Sequence, residues 1–326
     1  MSKPKLHILI PDKKLPSLSH AESKFVYSHF DVSKGQQIKP DSDLVFTQHY
    51  TNHFVLLELL KWKGPYAVLM GGDVWNEVTD QRVIKNVNIV LSKSSLVLTV
   101  SKNLADIARE QLKRILDVKN VMNLPGGMWG IDENPNGICP QKFFFKNNFD
   151  ILGKIPSILM GINIGIARKY QGISKFAKAV RDCFGYGVDI FCAGKISDQD
   201  VAVHLEKTYD IKMLGKRTDW PKFIHKFDIF AHPSMFDCFP RTLAESMCAK
   251  IPSIAFDIAG TPEVSRIPIM VDPDDSEGIC KAVQLLISNK SFREYQAERL
   301  YDEAKEKTEL HKNDIGNILL MTIGRK

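Results

Sequence analysis

Asp237 and Glu245 stand eight positions apart in the run FDIFAHPSMFDCFPRTLAESMCAKIPSIAFDIAGTPEV, the most chemically loaded segment of the chain. The run reads as strand, loop, helix, strand, loop, helix. Residues Phe227–His232 form the first predicted strand, and Pro233 ends it because proline cannot continue a central ladder. Asp237 falls in the loop, and Pro240 fits the first turn of the helix, where its missing N–H is no loss. Leu243, Met247 and Cys248 share one face at 3,4 spacing, so that face docks on a sheet. The N–H groups around Arg241 and Thr242 then open a helix at the C-terminal end of a parallel strand. Such a turn attracts phosphate through its donors and through the positive end of the helix dipole. Side chains on a helix lean toward its N-terminus, which lets Glu245 reach back to the same place. A carboxylate there can accept hydrogen bonds from two vicinal ribose hydroxyls, while Asp237 approaches from the loop side. Simpler roles stay open: Asp237 as a turn former, Glu245 as a solvated helix acid, and Glu263 as an acid that favours a helix dipole.

The elements around this run alternate. Leu6–Ile10, Leu44–Thr47, Tyr66–Met70, Leu96–Val100, Ile158–Ile162, Val188–Ala193, Ile229–His232 and Ile254–Phe256 are short apolar runs that read as buried strands. Amphipathic stretches such as Phe54–Lys61, Asn103–Leu116 and Ser174–Cys183 lie between them. That alternation predicts an α/β protein with parallel sheets covered on both faces. Residues 124–154, rich first in Gly, Pro and Asn and then in aromatic and basic residues, hold no strand–helix unit and mark a seam. The expected division is an N-terminal domain over 1–145, a C-terminal domain over 146–302 and a final helical tail over 303–326. Two doubly wound domains of this size leave a cleft at the C-terminal ends of their strands, where ligands bind.

Composition narrows the classes. The chain has 326 residues, a net charge of +6 and 44% hydrophobic residues, enough to bury two cores. The mild positive charge suits an anionic small ligand or peripheral contact with an anionic membrane. No dense Lys/Arg block with interleaved aromatics argues for nucleic acid. None of the six cysteines has CxxC spacing and several lie in apolar runs, which predicts reduced thiols in a cytoplasmic protein. The apolar run near the N-terminus is too short to act as a signal peptide or to span a membrane.

The segment resembles the donor site of the retaining GT-B glycosyltransferases, the large group 1 family whose pattern is an acid, seven residues, then Glu. The residues that carry the resemblance are Pro233-Ser234, Asp237-Cys238-Phe239-Pro240, Glu245-Ser246-Met247, Pro252 and Gly260-Thr261-Pro262-Glu263. The chain departs from the pattern in three places. Asp237 replaces a longer Glu, Cys238 stands where glycine is frequent, and Gln171 precedes Gly172 where the family has Lys. The resemblance implies that Arg168, then Lys169, neutralises the donor diphosphate, and that Phe239, Pro240, Arg241 and Thr242 line it. It gives Glu245 the ribose, Gly215 and Lys216 the base-binding loop, and Asp237 a catalytic role in orienting the transferred sugar or phosphate. A solvated loop is the competing reading for Arg168 and Lys169, and a structural role that for His232.

The same resemblance assigns the acceptor to the N-terminal domain. Lys13 and Lys14 follow the first strand, and Gly71, Gly72 and Asp73 follow Tyr66–Met70 in MGGDVW. Asp73 sits where the family often places a group near the acceptor hydroxyl, or else it caps the helix that follows. Val100-Ser101 and residues 123–132 resemble turns that close this domain, and the role of His49 is open. The last helix is expected to cross back to the first domain, with a membrane-facing or partner-facing helix as the rival.

The implied function is transfer of a hexose from a nucleotide diphosphate sugar, of the UDP or GDP type, to a hydroxyl of a glycan, lipid or protein-linked acceptor. Configuration would be retained, and no metal or other cofactor is expected. The alternatives are a nucleotide-sugar epimerase or a phosphorylase on the same fold, or a binding protein without turnover. A dehydrogenase is disfavoured, since no GxGxxG follows the first strand.

Overall fold

Twelve strands and thirteen α-helices follow one another in the computed structural model, which describes residues 2–11, 24–113, 121–124, 129, 138–165 and 167–324. Contacts divide the chain into two compact units, residues 1–137 with 308–326, and residues 138–307.

The first unit carries β1 (Lys5–Leu9), α1 (Lys24–His29), β2 (Asp31–Gly35), β3 (Leu44–Thr47), α2 (His53–Lys61), β4 (Tyr66–Met70), α3 (Val74–Glu77), α4 (Gln81–Lys93), β5 (Leu96–Thr99), α5 (Lys102–Lys113) and β6 (Val121–Asn123). Its strands are parallel in the order β2-β1-β3-β4-β5-β6. Every residue of β3, β4 and β5 is buried, as strands covered on both faces must be. Side-chain caps set the helix starts: Asn52 accepts from the N–H of Phe54 and Val55, and Asp80 from that of Arg82.

The second unit carries β7 (Ser157–Gly161), α6 (Ala167–Phe184), β8 (Asp189–Ala193), α7 (Gln199–Tyr209), β9 (Ile211–Gly215), α8 (Trp220–Phe223), β10 (Ile229–His232), α9 (Arg241–Cys248), β11 (Ser253–Phe256), α10 (Thr261–Val264), β12 (Ile269–Val271), α11 (Ser276–Ser288) and α12 (Lys290–His311). The final helix, α13 (Asp314–Gly324), lies within the stretch that groups with the first unit. The second sheet is parallel in the order β12-β11-β10-β7-β8-β9. Its first strand and its fourth are therefore neighbours, and the chain winds outward from them in both directions. Ligands of such sheets bind at the carboxyl ends of the strands where the order reverses, here β7 and β10.

The opposite ends of these two strands are locked. Asp228, just before β10, accepts from the N–H and hydroxyl of Ser157 at 3.0 and 2.8 Å, and from Lys154 and Lys146 at 2.9 and 3.3 Å. Burial opposes ionisation of Asp228. The hydrogen bonds from Lys154 and Ser157 and the Lys146 charge outweigh it and hold the carboxyl below its usual range. The seam residues 143–156 run as an extended strap without helix or strand, tied to the second unit by Phe144 N–H to Pro221 O and Lys146 N–H to Ala249 O. The buried Arg293 closes the strap, donating to the carbonyls of Phe149, Leu286 and Ile287.

Three expectations need correction. Strands β2, β6, β9 and β12 were absent from the predicted set, and all four are sheet edges. The helix expected from Ser174 starts seven residues earlier, at Ala167, so Arg168 and Lys169 lie in a first helical turn and not in a loop. The expected set of reduced thiols is wrong for one pair: Cys183 of α6 and Cys280 of α11 form a disulfide, while Cys139, Cys192, Cys238 and Cys248 are buried.

Candidate functional site

The loop after β10 is clamped from two sides by backbone that only glycine permits. A Cβ at Gly172 of α6 would come within 1.7 Å of the Pro233 carbonyl oxygen, and one at Gly260 within 1.9 Å of the Cys238 carbonyl oxygen. Between these clamps the Ser234 hydroxyl donates to Phe236 O at 2.9 Å, and the N–H of Gly260 donates to Asp237 O at 2.9 Å. The Asp237 carboxylate itself accepts from the N–H of Phe239 at 3.3 Å. Asp237 is thus both a turn former and, through its second oxygen, free to meet other groups.

That second oxygen meets Lys169. The ammonium of Lys169 lies 3.2 Å from Asp237 Oδ2, joining the first turn of α6 to the loop that leads into α9. Cations in a first turn oppose the helix dipole, and the first turn of α6 contains no acid. The side chain of Arg168 falls outside the described residues. Below the pair, His232 closes β10 with only 2% of its surface exposed and no hydrogen bond to either ring nitrogen. Its Nε2 is 3.9 Å from Asp237 Oδ2, too far for a hydrogen bond. Burial lowers its pKa to about 4, with Asp237 opposing and Lys169 reinforcing that shift, so the imidazole is neutral at ordinary pH.

The helix that follows begins without a side-chain cap. Pro240 occupies the N-cap, one position before the expected first turn, and its carbonyl accepts from Leu243 and Ala244 at 3.1 and 3.2 Å. Phe239 and Pro240 are buried, as are Leu243, Met247 and Cys248 on the docking face. Thr242 fastens this end of α9 to the sheet by donating to the carbonyl of Gly161, the last residue of β7, at 2.9 Å.

Glu245 lies one turn in, largely buried. Its Oε2 accepts from the Trp220 indole at 2.9 Å, and its Oε1 is 3.4 Å from the Arg241 guanidinium. Burial pushes its carboxyl above the usual range, against the Arg241 charge and the Trp220 hydrogen bond. Trp220 was not among the expected site residues, because nothing in the spacing of the chain links position 220 to position 245. At the end of β9, Gly215 takes φ +63°, a left-handed conformation that favours glycine, and Lys216 beyond it is exposed.

The structure therefore gathers two acid–base pairs around the start of α9, Asp237 with Lys169 and Glu245 with Arg241. In the first unit, Gly71, Gly72 and Asp73 follow the C-terminal end of β4. Asp73 is 1% exposed immediately before α3. Lys13 and Lys14 lie outside the described residues. Among the described residues no cluster of His, Cys, Asp and Glu could hold a metal ion, and no helix is long and apolar enough to cross a membrane.

Residues 162–289 match the family model of the group 1 glycosyl transferases, a span that contains Lys169, Trp220, His232, Asp237 and Glu245. A comparison with curated protein sequences found no match. Among solved structures, HepE of Anabaena with UDP and glucose superposes with a TM-score of 0.73 at 15% identity, covering 98% of this chain and 100% of that one. A glycosyltransferase from Rickettsia africae gives 0.68 at 14% identity, with 100% of both chains covered. Sucrose-phosphate synthase from Thermosynechococcus elongatus gives 0.67 at 14%, over 87% of this chain and 75% of the other. Likeness at such identity speaks for the fold, and the fold is GT-B. With that fold, the second unit carries a group 1 glycosyl transferase domain, which supports glycosyltransferase activity.

Proposed function

We propose that the protein transfers a hexose from a nucleoside diphosphate sugar, with UDP as the carrier, to a hydroxyl of a glycan or lipid acceptor, retaining anomeric configuration and using no metal. The observation that carries this reading is the uncapped start of α9 at the strand reversal, flanked by Asp237 on the loop and Glu245 one turn in. Peptide N–H groups and a helix dipole favour phosphate there. Arg168 and Lys169 add the positive charge that two phosphates require, which accounts for cations in a first turn that the dipole would otherwise disfavour. Glu245 holds the ribose, the loop at Gly215 and Lys216 faces the base, and Asp237 orients the sugar. Asp73, in the first unit, is the candidate on the acceptor side, with Gly71, Gly72, Lys13 and Lys14 as further acceptor-side candidates.

In the reaction the acceptor oxygen bonds the anomeric carbon as the bond from that carbon to the phosphate oxygen breaks. The acceptor proton passes to the departing diphosphate on the same face. Positive charge and backbone donors fixed around the leaving group lower this barrier, because they are already oriented when the charge develops.

The test is release of UDP from a panel of UDP-sugars in the presence of glycan and lipid acceptors, with the product anomer read by NMR. Retained configuration and a rate unchanged by EDTA are expected. Inverted product, or a rate abolished by EDTA and restored by a divalent cation, would refute those parts of the reading. Tight UDP binding with no release in any combination would leave a binding protein.

A further inference from the structure

We infer that Trp220 is a positioning residue for the donor: its indole N–H sets the Glu245 carboxylate to receive the ribose hydroxyls. The inference rests on the donor reading above and adds a residue to it.

The geometry is specific. Trp220 opens α8, and its ring extends over the last residue of β7, where a Cβ at Gly161 would lie 3.1 Å from the indole Cη2. The same Cβ would lie 2.9 Å from the Thr242 Cβ, so Gly161 leaves room for both neighbours. From this seat the indole N–H reaches Glu245 Oε2 at 2.9 Å, in the range of a strong hydrogen bond, while Arg241 reaches the other oxygen at 3.4 Å. A carboxylate offers about four acceptor sites. Trp220 and Arg241 occupy two, and two remain, which matches a vicinal pair of hydroxyls.

The identity of the donor group matters. An indole N–H carries no charge, so it fixes the rotamer of Glu245 without neutralising the carboxylate that hydroxyl groups seek. A flexible glutamate held only by Arg241, four residues along its own helix, would lose rotamer freedom on binding the nucleotide. Trp220 comes from a different element and holds the carboxylate in place beforehand, which lowers the ordering cost of binding.

The test compares binding of UDP, GDP and ADP with that of their 2′,3′-dideoxy forms, by calorimetry, to the wild type, to Trp220→Phe, and to protein with benzothienylalanine at position 220. The last keeps the bicyclic shape and replaces the N–H by sulfur, so it separates the hydrogen bond from packing. For a ribonucleotide that binds the wild type, both variants should weaken binding about tenfold, the size expected for a hydrogen bond to a charged group. Both should weaken the 2′,3′-dideoxy form less than twofold. Equal losses for ribo and deoxy forms, or unchanged ribonucleotide binding in the benzothienyl protein, would overturn the inference and leave the donor reading intact. Wild-type protein that binds none of the three nucleotides would overturn the donor reading, and this inference with it.

Discussion

The ammonium of Lys169 lies 3.2 Å from the carboxylate of Asp237, and the two residues belong to the segments that follow β7 and β10, the two strands at which the sheet order reverses. Replacing Lys169 by Met removes the partner of Asp237 and, in the proposed donor site, one charge-assisted contact to the diphosphate. The expected result is a loss of UDP affinity of roughly 10- to 100-fold, with the melting temperature changed by less than a few degrees. Calorimetry on K169M, with Asp237→Asn as the companion variant, measures it. Affinity unchanged in both would remove this pair from the donor site.

Gly172 is a packing requirement. Alanine there would press its Cβ against the Pro233 backbone, which cannot rotate away as a side chain would. Gly172→Ala should lower stability by about 1–3 kcal/mol and weaken UDP binding as the loop carrying Asp237 shifts. Chemical denaturation reads the first effect and UDP titration the second.

His232 gives a pH signature. Its pKa is near 4 in the folded protein and about 6.5 when unfolded, so between these values the unfolded chain takes up a proton that the folded chain refuses. Stability should therefore fall as pH drops from about 6.5 to 4, by about 3 kcal/mol at the lower end. In His232→Leu that part of the slope should vanish. An unfolding series in urea across this pH range decides it, and a slope that persists in the variant assigns it elsewhere.

Glu245 gives a second signature, in binding. Burial raises its carboxyl above the ordinary range, while Arg241, Trp220 and the charge of Lys142 hold the rise in check. In the proposed donor site the ionised carboxylate is the better acceptor for the two ribose hydroxyls. UDP affinity should thus weaken as pH is lowered, starting at a pH above the usual carboxylate range. In Glu245→Gln the curve should be flat over the same interval and the affinity lower by about tenfold.

The disulfide between Cys183 and Cys280 closes a loop with a sequence separation of 97 residues. Reduction, or Cys183→Ser, should cost about 2–4 kcal/mol of stability. Because the bridge is at the far end of α6 from Lys169, UDP affinity should stay within twofold. A large fall in affinity on reduction would show that the bridge also sets the site.

What the sequence made legible follows from burial. Strands inside a sheet are covered on both faces, so YAVLM and LVFT announce themselves as unbroken apolar runs. Edge strands such as DVSKG and IKMLG are half solvated and carry polar residues, and so β2 and β9 give no such signal. The Asp237–Glu245 segment was readable because loop, proline, helix and both acids are contiguous. Trp220 and the Cys183–Cys280 bridge were not, since each joins residues that only the winding of the chain brings together. The start of α6 was missed because GINIGIARKYQG has glycines at both ends and no capping acid.

Asp228 has a consequence for how this enzyme can adapt to its ligands. It stitches Ser157 to the base of the neighbouring strand, with buried Lys146 and exposed Lys154 paired to it, and so ties β7 to β10 at that end. The two strands are therefore pinned together at the end away from the crevice. In the proposed donor site, fit to a bulkier or slimmer nucleotide would then come more readily from exchanging rim side chains, at positions such as 220 and 242, than from parting the strands at their pinned ends.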